Sequence, residues 1–427
     1  MRTNMNRRNA LRTMAAAGTG AVLSQCASQK TTAKKKTAVK KKTAATKKTT
    51  ARKKTAVKKT SARKKTTAKK KASSGKTRPP APAPLPIEWS TVYELEVVKR
   101  ARAWNRARDV DTIAGINRRL AFGGYDDVVR DADRAYDAAI WKIAGEILGN
   151  RNRIRLVIVA GPSSSGKTTT TIKLCRALRT MGENLQLLAL DNYFWNLKDQ
   201  PVDEFGNVKF ETPDALDTAT INENLKDLLS GQEAKLPIYD FKAGRRKKEK
   251  LSMRLEEGQL LVVEGLHGFH QSLTEGIPKD MQFRVYIESV CQLRDREDNF
   301  VPWTDIRLLR RMVRDNKHRN YPPLKTLAHW HLVREAEKKY IVPYIRMSDA
   351  VVNGYLPYEL PVYKKYLYDA LKEAVDHFDD KEGGADALRR GERCLAYLEE
   401  VDALEDDSII PPTSLIREFI GGSVYEY

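Results

Sequence analysis

The sequence predicts an α/β fold built on a doubly wound parallel sheet, and three observations predict it. The eight residues Gly161-Pro162-Ser163-Ser164-Ser165-Gly166-Lys167-Thr168 satisfy G-x-x-x-x-G-K-[ST]. They sit between an apolar run, Arg155 to Ala160, and a helix-patterned stretch, Thr169 to Met181, so strand, loop and helix arrive in the order that a phosphate-binding loop requires. Further short apolar runs then alternate with helical patterns, which is the signature of a parallel sheet with helices on both faces.

Each element can be taken in order. The stretch 87–150 carries apolar residues at helical spacing, first Trp89, Val92, Leu95 and Val98, later Ala139, Ile140, Ile143 and Ile147, and reads as a helical lead-in. A second strand runs Leu185 to Leu190 and ends at Asp191-Asn192-Tyr193; a third runs Gln259 to Val263 and ends at Glu264-Gly265; a fourth runs Phe283 to Ile287 and ends at Glu288. In such sheets ligands gather at the carboxyl ends of the strands. Asp191 and Glu264 fall there.

The loop chemistry follows from its backbone. The amides of Gly161 to Thr169, including those of Ser163, Ser164, Ser165 and Gly166, together with the helix N-terminus, converge on a polyphosphate. Lys167 reaches the β and γ phosphates, and the Thr168 hydroxyl ligates magnesium. Phosphoryl transfer asks mainly for positioning and charge neutralisation, so Asp191 as the base for an attacking hydroxyl and Glu264 as a magnesium ligand complete a minimum set with ATP. Arg307, Arg310, Arg311 and Arg314 stand at i, i+3, i+4, i+7 and share one helical face, with Leu308, Leu309 and Met312 on the other. Four like charges repel unless an anion neutralises them, so this helix reads as a lid whose arginines clamp the triphosphate.

Charge is segregated along the chain. Residues 1–78 hold 26 Lys or Arg and no acidic residue, leaving 51 basic and 55 acidic residues in 79–427. The net charge of +22 therefore belongs to the tail. Residues 1–29 carry Arg7-Arg8 and a weakly apolar stretch, a twin-arginine-like export signal. An ATP-dependent enzyme argues instead for the cytoplasm, and the two readings stand side by side. Residues 30–86 comprise a Thr/Ala/Lys repeat, too poor in apolar surface to order itself, and a stiff proline-rich joint. The 30–78 part suits nonspecific binding to nucleic-acid phosphates or simple solvation as a spacer. The four cysteines are scattered without a C-x-x-C pair, which argues against a disulfide framework or zinc site. No apolar stretch reaches the ~18 residues of a spanning helix.

Taken together, these residues resemble the uridine kinase-like branch of the phosphoribulokinase and uridine kinase P-loop kinases, and in their later part a bacterial nucleoside kinase subgroup. The similarity rests on the loop, Leu190-Asp191-Asn192-Tyr193, Phe210 to Asp217, Leu236 to Phe241, Glu264-Gly265-Leu266-His267 and Arg307 to Asp315, then Glu337 to Tyr344 and Ser414 to Ser423. The resemblance implies a P-loop NTPase fold, Asp191 as base, and Thr168, Asp191 and Glu264 around magnesium. It also implies Glu211 at the ribose hydroxyls, Tyr239 and Phe241 flanking a base, and Arg310, Arg311, Arg314 and Arg319 as lid arginines. The chain departs from the family after Phe241, where Lys242-Ala243-Gly244-Arg245 replaces the histidine that reads the pyrimidine.

The expected organisation is thus a kinase domain over 151–375 and a C-terminal extension over 376–427. The expected activity is transfer of the ATP γ-phosphate to a nucleoside 5′-hydroxyl, in a homo-oligomer. The alternatives are a phosphoribulokinase-like or other small-alcohol kinase, and a nucleotide-sensing protein tethered to nucleic acid by its tail.

Overall fold

The computed structural model describes residues 96–202, 208–241, 243–378 and 384–427. The export-signal, basic-tail and proline-joint expectations fall outside the described residues, as do Lys242 and the start of the lead-in. The lead-in itself contains α1 (Glu96–Arg106), α2 (Ile113–Ala121) and α3 (Tyr125–Gly149). Thr112 caps α2 by accepting from the Gly115 amide, and Asp126 and Asp127 place negative charge in the first turn of α3.

The chain then enters β1 (Leu156–Ala160), turns through the phosphate-binding loop and continues into α4 (Lys167–Thr180). β2 (Leu185–Ala189) follows and ends in a short 3-10 turn over Leu190–Tyr193. After α5 (Thr218–Leu229) come four short strands, β3 (Ala234–Leu236), β4 (Tyr239–Asp240), β5 (Arg245–Arg246) and β6 (Leu251–Met253). These pair antiparallel, β3 with β6 and β4 with β5. The core strands β7 (Leu260–Glu264) and β8 (Gln282–Glu288) are next, then α6 (Trp303–Arg319), α7 (Pro323–Tyr340), β9 (Ala350–Asn353), α8 (Glu359–Asp376), α9 (Ala385–Glu400) and the single turn α10 (Arg417–Ile420).

Five strands form one parallel sheet in the order β2-β7-β1-β8-β9. Alternation along β1 shows why it must be covered twice. Val157 and Val159 join one hydrophobic cluster while Leu156, Ile158 and Ala160 join the other. The helices supply the second half of each cluster, so both faces are dry. The larger cluster runs from Val110 to Ile420 and includes Leu415, Ile416 and Phe419. The C-terminal residues are therefore part of the same core as β1 and α4.

The arginine helix, expected as a lid, packs into the core in this structure. In α6, Ile306, Leu308, Leu309 and Met312 are completely buried, and so are Arg307 and Arg310 on the other face. The four guanidinium groups do find anions, as their spacing demands, but protein carboxylates supply them.

Candidate active site

The carboxyl ends of β1, β2 and β7 meet at the phosphate-binding loop. Gly161 leaves β1 so close to β8 that a Cβ there would lie 2.2 Å from the Ile287 carbonyl oxygen, and only glycine fits. Ser164 and Gly166 take left-handed φ values of 59° and 93°, which curl the backbone into a concave nest and launch α4. The hydroxyls of Ser164 and Ser165 are buried without a hydrogen-bond partner. Lys167 Nζ donates to the Pro162 carbonyl at 3.1 Å, folded back across the loop. Unpaired buried donors, a nest and a lysine fit a polyphosphate.

The loop is held from behind by α6. All five N–H donors of Arg310 are used: two on the Glu359 carboxylate at 2.7 Å each, one each on the Ser164 and Ser165 carbonyls at 3.2 and 2.9 Å, and one on the Gly354 carbonyl. Arg310 thus has no donor left for a phosphate, which corrects its expected place among the catalytic residues; it positions the loop. Arg307 pairs with Glu288 at 2.9 Å and with Glu337, and donates to the Ser163 carbonyl. Arg311 reaches Ser163 Oγ at 2.9 Å and the Glu211 carboxylate at 2.6 Å. Arg314 and Arg319 gather on Asp315 at 2.9 and 3.4 Å, and both are near enough to Asp191 for their charge to favour its carboxylate. Those two remain available to an anion at the strand ends.

Asp191 follows β2 and Glu264 ends β7, next to β1 in the sheet. Burial raises the Asp191 carboxyl above its usual range, against the pull of Lys167 and with the push of Glu211. Burial and the neighbouring Asp191 raise Glu264 as well. Two carboxyls that oppose each other's ionisation beside a lysine fit a divalent cation, because the cation removes the repulsion that keeps them protonated. Among the described residues no group of three or more His, Cys, Asp or Glu has metal-holding geometry; a hydroxyl such as that of Thr168 and phosphate oxygens would complete the shell of such a cation.

Glu211 lies beside this pair. Burial would raise its carboxyl, but the Arg311 charge and hydrogen bond outweigh that and hold it below the ordinary value. Tyr239 and Phe241 form an edge-to-face pair 5.0 Å apart, with Phe194 at 5.8 and 6.3 Å. The Asn192 side-chain Oδ1 accepts from the Tyr239 amide and ties this aromatic group to the turn that carries Asp191.

Two participants were missed from sequence. His267, three residues past Glu264, is 2% exposed and stands next to Glu211 and edge-on to Tyr340. Burial pushes its pKa down to about 3, so the imidazole is neutral. Its place in Glu264-Gly265-Leu266-His267 was the available signal. Glu418 is the second: its carboxylate accepts from the Thr169 hydroxyl at 2.6 Å and amide at 3.2 Å, across 249 residues. Nothing in the local sequence announces that contact.

Loop, strand-end carboxylates and arginines define a P-loop kinase that phosphorylates an alcohol group. Comparison with known proteins agrees: the pattern of the Phosphoribulokinase / Uridine kinase family matches residues 156–357, and this segment is similar to its uridine kinase-like branch. The uridine kinase of Staphylococcus aureus (strain JH9) is 26% identical over 219 residues, 51% of this chain and 84% of the relative. Among solved structures, a possible uridine kinase from Bacillus stearothermophilus aligns at 17% identity and a TM-score of 0.35 over 50% of this chain and 97% of its own. A D-glycerate 3-kinase from Cryptococcus neoformans var. grubii aligns at 16% and 0.29, over 62% and 90%.

Proposed function

We propose that the protein transfers the γ-phosphate of ATP to the 5′-hydroxyl of a nucleoside. The observation that supports this most is the placement of Asp191: a buried carboxyl beside Lys167 and Glu211, on a turn tied directly to a three-ring aromatic surface. A carboxylate held there can take the proton of an attacking alcohol and release it afterwards. The nest and Lys167 orient the triphosphate, while Arg314 and Arg319 neutralise charge on the transferring phosphoryl. Thr168, Asp191 and Glu264 would hold magnesium, which would supply charge neutralisation to the phosphates. Glu211, fixed by Arg311, accepts hydrogen bonds from vicinal sugar hydroxyls, and Phe194, Tyr239 and Phe241 cover the base.

The test is acceptor-dependent ATP consumption by the full chain across nucleosides, sugar phosphates and glycerate, with Lys167→Ala as the blank. Turnover with a nucleoside supports the proposal. Turnover only with a sugar phosphate or a small hydroxy acid moves the acceptor assignment and leaves the kinase class intact.

A further inference from the structure

The first turn of α4 is already engaged by an anion. Glu418 holds both the amide and the hydroxyl of Thr169, and the Tyr427 hydroxyl lies 3.1 Å from the same Thr169 oxygen, with Ser423 Oγ 3.0 Å beyond. Leu415 packs so tightly on Gly166 that a Cβ there would fall 2.6 Å from it. The Arg310 guanidinium that braces the loop lies 5.1 Å over the Phe419 ring, and Lys317 donates to the Ile420 carbonyl. The C-terminal segment is therefore built against the phosphate-binding loop.

Amide and hydroxyl donors in the first turn of this helix are what the motif offers to nucleotide phosphate. A carboxylate satisfies them with the same charge sign and the same kind of acceptor oxygen. It also lies near enough to Glu264 for its charge to raise that carboxyl. Phosphate and Glu418 cannot hold Thr169 together, since two anions on one donor pair repel in a partly desolvated site. Leu415, Ile416, Phe419 and Ile420 are buried and keep the segment in place, whereas Glu418 is half-buried and Val424 and Tyr427 are more than half exposed. Release is thus a matter of one side chain and the last few residues.

We propose that Glu418, seconded by Tyr427, is an internal competitor for a phosphate seat of the nucleotide site, so that nucleotide enters only as Glu418 releases Thr169. Glu418 then sets nucleotide affinity without taking part in transfer. The inference rests on the kinase reading of the loop.

The test is calorimetric titration of ATP and of inorganic tripolyphosphate into the full chain, without acceptor, for the natural protein, Glu418→Gln and Tyr427→Phe. Glu418→Gln should bind both ligands about tenfold more tightly, and in turnover the KM for ATP should fall with kcat little changed. Tyr427→Phe, at an exposed terminus, should tighten both severalfold and carries the test if Glu418→Gln misfolds. Unchanged or weaker binding in the folded variants overturns the proposal, because Glu418 is then a bystander or a nucleotide contact. Absence of binding in every form overturns it too. Acceptor-dependent turnover is measured separately, so a failed acceptor assignment is distinguishable from a failed competitor.

Discussion

Asp191 and His267 are two buried polar groups that the protein treats in opposite ways. Asp191 has charged neighbours to draw on, so Asp191→Asn should keep the shape and ATP binding while cutting kcat by orders of magnitude, measured by parallel binding and turnover assays. His267 is buried between Glu211 and the Tyr340 ring and stays neutral. Its folded pKa of about 3 lies below the ordinary 6.5, so the unfolded chain binds more protons between those values. Stability contributed at neutral pH is then lost as pH falls below about 6.5. His267→Leu should flatten that part of the acid limb in denaturant unfolding, and an unchanged limb would contradict the assignment. Asp191 was legible because it closes a strand beside a complete motif; His267 was visible as a letter but not as a buried group.

Among the elements, α6 shows where sequence reasoning holds and where it stops. Spacing alone fixed four arginines on one face and required an anion opposite them. It did not say that Glu288, Glu337 and Glu359, on β8, α7 and α8, are that anion. Burial of Arg310 with Glu359 makes the pair a brace, and removing one partner leaves an uncompensated charge. Glu359→Gln should therefore cost about 3–5 kcal/mol in urea unfolding. It should also raise the KM for ATP, because Ser164 and Ser165 lose a fixed backing. The β1, loop and α4 unit was readable because its motif is local. β9 was not, since Ala350-Val351-Val352-Asn353 is too short to show a period, and the β3/β6 and β4/β5 pairs are two or three residues long.

At the scale of the whole molecule, one core reaches from Val110 to Ile420, and the C-terminal residues close it over the phosphate-binding loop. Leu415→Ala should cost about 2–5 kcal/mol, because it empties a site packed against Gly166 and the core. The net positive charge is carried by residues 1–78, and the remaining 349 residues are close to neutral. Deleting 1–78 should leave acceptor-dependent turnover intact, and loss of activity would favour the tethered nucleotide-sensing alternative. The most direct test of the central claim follows the γ-phosphate itself. In a single turnover with γ-labelled ATP, the natural protein should place the label on a nucleoside 5′-oxygen, and Asp191→Asn should bind the same ATP and leave it untransferred. Label that passes only to water or to a non-nucleoside acceptor, or passes at an undiminished rate in Asp191→Asn, would contradict the account.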